Sequence, residues 1–148
     1  MGHQEIDVRV RTAAAPGAVY RLLTDGASWP VWSPLGSFEL ARPGEDGVEG
    51  VGAVRVFRTW PATSRERIVE LVPDRRLSYE LMSGLPLRAY RADIDLKPDD
   101  GGTTIRWHST FRPVAAGTGW FFRWMLGGFV RRCAEGLANY AATVELKG

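Results

Sequence analysis

The sequence predicts an α+β fold: seven antiparallel strands in a meander, one long C-terminal helix, and two short helices after the first strand. Three observations carry this reading. The first stretch alternates strictly between apolar and polar residues, the middle is a train of strand-like runs broken by Gly, Pro and Asp, and the stretch from Gly117 to Leu146 changes to a helical period. A chain of 148 residues has the size of one domain with a two-layer core, so residues 1–148 are expected to form a single domain.

From Glu5 to Arg11, Ile6, Val8 and Val10 fall on one side and Glu5, Asp7, Arg9 and Arg11 on the other, the pattern of a half-buried strand. Pro16 stands where a first helical residue would, and Val19, Tyr20, Leu22 and Leu23 follow at helical spacing until Asp25-Gly26 stops the run. In SWPVWSP, Ser28 to Pro34, two prolines leave room for a turn or two of helix before the chain must extend. Strand-like runs then follow at Ser37–Arg42, Val51–Trp60, Ser64–Val72, Leu77–Met82, Leu87–Leu96 and Thr103–Phe111. Their separators are hairpin-type, and short connections force antiparallel neighbours.

After Pro113, Thr118 is placed to cap a helix. Phe122, Leu126, Phe129, Cys133, Leu137, Tyr140 and Val144 then step by three or four residues into one stripe. Such a helix spans about 28 residues, roughly 42 Å. Gly127, Gly128 and Gly136 weaken it by up to about 1 kcal/mol each relative to Ala. Glycines there predict a bend, or a close approach of the helix to the sheet that leaves space for a ligand.

Composition removes several function classes. The net charge is only +2, with 17 Arg against 2 Lys interleaved with Asp and Glu, so no basic face is gathered for nucleic acid. The arginine bias points to a GC-rich bacterial genome. With no signal-peptide pattern and no apolar run long enough to span a bilayer, a cytoplasmic chain without a membrane span is expected. One cysteine, Cys133, allows no internal disulfide and reads as a core thiol. No metal-ligand spacing, nucleophile elbow, P-loop or dinucleotide fingerprint is present, so no zinc, flavin, nicotinamide or other cofactor is expected. The glycines at 44, 47, 50 and 52 lie in a hairpin without a following helix, which makes them a flexible loop and not a phosphate cradle.

The segments APGAVYRLLTD and WPVWSP after the first strand, RIVELVPDRRLSYEL in the middle, GTTIRW, and the tail FVRRCAEGLANYAATVE occur in the order and spacing of a known superfamily. The chain resembles the START-like (SRPBCC) superfamily, within it the bacterial polyketide cyclase/dehydrase-type branch. Each motif is weak alone, and together they cover nearly the whole chain. The resemblance implies a helix-grip architecture, in which the curved antiparallel sheet wraps around the long C-terminal helix and encloses a cavity for lipids, polyketides, hormones or aromatic compounds. It does not imply one activity, because members include carriers, cyclases, hydrolases and partner-binding proteins.

Candidate site residues are polar or aromatic groups that share strand parity with the core. On the sixth strand Arg88 and Tyr90 share parity with Ala92, Ile94 and Leu96, which turns Arg88 toward the concave side, as a pocket cation or a snorkelling strand-end residue. Tyr79 and Leu81 on the fifth strand, and Trp107 and Ser109 on the seventh, are expected inward as well. His108, the only histidine besides His3, falls on the convex face, away from a cavity. The third strand leaves the direction of Arg55 and Arg58 open. In GWFFRWML the rings Trp120, Phe121, Phe122 and Trp124 exceed what one stripe requires. They read as packing under SWPVWSP, as a mobile gate at a cavity mouth, or as a surface for a membrane or partner.

These residues lead to one expectation: a carrier for a small hydrophobic molecule, aromatic, polyketide-like or acyl, held between sheet and helix by Tyr79, Leu81, Arg88, Tyr90, Trp107, Ser109, Trp120, Trp124 and Phe129. The alternatives are an aromatase/cyclase-like enzyme that stabilises an enolate with Arg88 and Tyr79 or Tyr90, and a co-chaperone-like or toxin-like partner-binding module. The sequence does not decide between carrier and enzyme, and no protein partner is indicated.

Overall fold

The computed structural model describes residues 3–45, 47–59 and 62–147. The chain forms β1 (Gln4–Thr12), α1 (Pro16–Leu23), a 3-10 turn (Gly26–Ser28), α2 (Trp29–Trp32), β2 (Ser37–Arg42), β3 (Val54–Thr59), β4 (Ala62–Val72), β5 (Arg76–Ser83), β6 (Leu87–Asp99), β7 (Gly102–Pro113) and α3 (Gly119–Lys147). The seven strands make one antiparallel sheet in the order β1-β7-β6-β5-β4-β3-β2, open at β1 and β2. This is the predicted helix-grip fold. Trp60, placed by the sequence at the end of the third strand, lies outside the described residues.

The turns explain the meander. Asp100 and Gly101 both take positive φ, 50° and 85°, between the paired residues Asp99 and Gly102. That is the type I′ geometry whose twist suits a two-residue hairpin. Asp74, at φ 61°, turns β4 into β5.

Alternation then sorts the strands. Ile6 and Val8 on β1, Leu77 and Tyr79 on β5, Ala92, Ile94 and Leu96 on β6, and Ile105, Trp107 and Phe111 on β7 are buried in one cluster. Fully burying such a side chain contributes about 1.5–3 kcal/mol. The outer face carries charge. There His108 Nε2 lies 2.7 Å from Asp95 Oδ2, and Arg76 Nε binds the same carboxylate at 2.5 Å.

Helix α3 packs chiefly on β1 and β7, with Leu126, Val130, Cys133, Ala134, Leu137 and Ala141 buried. Its close approach is to α2, not to the sheet: a Cβ at Gly136 would stand 1.8 Å from the Trp32 carbonyl oxygen. Gly127 and Gly128 face open space. Thr118 takes the capping position, but its hydroxyl donates backward to the Ala115 carbonyl at 2.6 Å, while its carbonyl accepts from Phe121 and Phe122.

Candidate functional site

Because α3 leans on the β1–β7 side, space remains between its first half and the strands β3 to β6. A cavity of about 470 Å³ occupies it, within the range that holds small organic ligands. Phe57, Leu81, Leu126, Phe129 and Val130 supply apolar wall, and Trp29 and Trp107 close one end. Trp29 is locked by its Nε1 donating to the Leu23 carbonyl at 3.1 Å and by edge contact with Trp107.

Of the residues expected from sequence, Tyr79, Leu81, Tyr90, Trp107 and Phe129 line this space. Burial pushes the Tyr79 hydroxyl well above the usual phenol range, and burial pushes Tyr90 up to about 12, so both stay neutral donors. Ser109 is buried beside the Tyr90 hydroxyl, behind the wall. Neither its Oγ nor Trp107 Nε1 has a well-directed hydrogen-bond partner in the protein. Burial likewise pushes the Cys133 thiol up, which keeps this cavity-lining sulfur unreactive.

Three expected residues stand elsewhere. Arg88 is exposed and outside the cavity wall. The reason is a β-bulge: between the pairs Arg88↔Arg112 and Arg91↔Thr110, β6 has one residue more than β7, and Ala89 absorbs it at φ 52°. The bulge breaks the parity count, so Leu87 packs on the core and Arg88 points out. The Arg88–tyrosine pair of the cyclase reading is not assembled. Trp120 and Trp124 are 65% and 73% exposed, with Phe121 beside them at 41%. Helical geometry places these rings on the face opposite Leu126 and Val130, away from SWPVWSP, and only Phe122 packs on the core. They neither line nor cover the cavity, which removes the basis for a gate.

The residue that sequence reasoning missed is Glu66. On β4, Ser64, Glu66 and Ile68 share parity, and Glu66 pairs with Leu81 on one side and Arg55 on the other, so its carboxyl enters the cavity. It is partly exposed and lines that space. Burial pushes its pKa up to about 7, against the opposing pull of Arg55.

The structure also settles the third strand. Arg55 points inward and is buried, donating to the Leu23 carbonyl at 2.7 Å, meeting Glu49 at 2.9 Å and stacking over Trp29 at 5.4 Å. Arg58 points outward to Glu39 at 2.8 Å. Val54 and Val56, on the outer face, are buried as well, and pair with Arg67 and Arg65.

Residues 3–145 match the family described as polyketide cyclase / dehydrase and lipid transport, and the chain belongs to that family, a START-like (SRPBCC) one. None of the curated proteins matches the chain in sequence. Among solved structures it is similar to XoxI from Bacillus cereus, with 23% identity over 98% of this chain and 99% of that one at a TM-score of 0.74. A START superfamily protein from Mycobacterium smegmatis shares 13% identity over 97% and 99% of the two chains, with a TM-score of 0.82. Ara h 8.0201 shares 16% over 96% and 99%, at 0.78. At these identities the likeness concerns the fold. Among the described residues, no helix is long and apolar enough to cross a membrane.

Proposed function

We propose that the protein is a cytoplasmic carrier that holds a small hydrophobic molecule, ring-containing or acyl, in the cavity between α3 and the sheet. The observation that carries this reading is the cavity itself, about 470 Å³ and walled by aromatic and aliphatic side chains with few polar groups. Membership of a family whose description includes lipid transport supports it. Retention suits this wall better than covalent chemistry does, since its thiol and phenols are held protonated by burial. A thermal-shift panel of fatty acids, flavonoids, aromatic polyketides and the neutral dye N-phenyl-1-naphthylamine tests it. Stabilisation by at least one class, weakened when Phe129→Arg fills the space, is the expected result. No stabilisation by any class would overturn it.

A further inference from the structure

Resting on the carrier reading above, we infer that the cavity selects apolar molecules bearing a hydrogen-bond donor, a hydroxyl or an ammonium, set against the Glu66 carboxyl, and that it rejects carboxylates. Glu66 is the acidic group in the cavity wall, and among the described residues it has no hydrogen bond or ion pair. Arg55, its cross-strand neighbour, turns its guanidinium to the Leu23 carbonyl and Glu49.

A carboxylate held in an apolar wall without a donor loses its hydration with nothing in return, and a ligand donor restores what is missing. The groups facing Glu66 are Arg55 from β3, Tyr79 from β5, Tyr90 from β6 and Cys133 from α3. Arg132 of α3 also lines the cavity, at an exposed position. Of these, Arg55 has its charge offset first by Glu49 and then by Glu66 and Asp25, Arg132 lies over the Phe129 ring at an exposed position, and the tyrosines and the thiol remain neutral because burial raises their pKa. A carboxylate bound beside Glu66 therefore meets a like charge there, and Arg132, the lining cation outside the Arg55 cluster, is exposed, where water screens its charge. The Nε1–H of Trp107, beside the Tyr79 hydroxyl, suits a carbonyl or ether oxygen elsewhere on the same ligand.

The test uses the full chain, N-phenyl-1-naphthylamine as the fluorescent probe, and three competitors with one ring body: 2-naphthylmethylamine, 2-naphthylmethanol and 2-naphthoate. At about pH 8 the amine and the alcohol should displace the probe at concentrations about tenfold or more below naphthoate, the usual scale for one hydrogen bond to a charged group. Lowering the pH to about 5.5 protonates Glu66 and should narrow the gap, an arm that needs no substitution. The isosteric Glu66→Gln should abolish the preference, read as the ratio of the competitors' displacement constants after each is corrected for the probe's own affinity in that variant. If the probe binds and the three competitors are equal, or the preference survives in Glu66→Gln, the assignment to Glu66 is wrong and the carrier reading stands. If neither the probe nor any competitor binds, the carrier reading falls, and this inference with it.

Discussion

Arg55 and Glu66 stand directly opposite each other on β3 and β4, yet the guanidinium turns to Glu49 and the Leu23 carbonyl and leaves the carboxyl facing the cavity. The pairing divides labour within one rung of the sheet. Arg55 ties β3 to the end of α1 and to the loop before β3, and Glu66 is left as a polar point on an apolar wall.

Glu66 should make stability depend on pH. Its folded pKa, about 7, lies above the value near 4.5 of an unperturbed glutamate, so the folded chain binds more protons between those values. Stability from this group is full below about pH 4.5 and declines as pH rises toward about 7, by at most about 3 kcal/mol at 1.36 kcal/mol per unit. Urea unfolding from pH 5 to 8 should show this slope in the wild type and lose it in Glu66→Gln.

Arg55 should be costly to remove. Arg55→Ala leaves Glu49 without its buried partner and opens a void beside Trp29, an expected loss of about 3–5 kcal/mol. Denaturant titration of that variant beside Arg58→Ala, whose exposed pair with Glu39 is worth about 1 kcal/mol or less, reads the contrast directly.

Tryptophans in the two helical segments should behave oppositely. Trp29→Ala removes a buried ring that closes the cavity and should cost about 3–5 kcal/mol. Trp120→Ala and Trp124→Ala touch exposed rings and should stay within about 0.5 kcal/mol. Ligand association rates should be unchanged in these two variants. Equal losses across all three would contradict the assigned faces of α3.

Gly136→Ala raises helix propensity by about 1 kcal/mol but drives a methyl into the Trp32 carbonyl. The clash involves backbone, so net destabilisation of about 1–3 kcal/mol is expected. Gly127→Ala, with open space around it, should be neutral or stabilising. The melting temperature should fall in Gly136→Ala and hold or rise in Gly127→Ala.

The architecture was legible because alternation, turn chemistry and the change to a helical period all agree from β1 to α3. The site was less so. On β3 both faces are buried, Phe57 inward and Val54 and Val56 outward, and a strand apolar on both faces carries no parity. Glu66 shares parity with Ile68, a signal present in SRERIVELV. The opposing rule, that a charged residue at mid-strand ordinarily faces water, outweighs that signal. Arg88 was misdirected by an irregularity that leaves no mark on the sequence, since Ala89 is not a residue that announces positive φ. The solvent side of Trp120 and Trp124 follows from where α3 rests, a tertiary fact.

The bulge at Ala89 has a consequence for how this wall tolerates insertion and deletion. An added residue in a regular strand exchanges inner and outer faces for everything beyond it. Here the extra residue is stored locally, so Leu87 stays in and Arg88 stays out while Tyr90, Ala92 and Ile94 keep their places. Loss of the single codon for Ala89 would shorten the protein and straighten the ladder without changing which side chains the cavity presents. At this point of the chain, a one-residue difference in length between two proteins says nothing about the chemistry of their pockets.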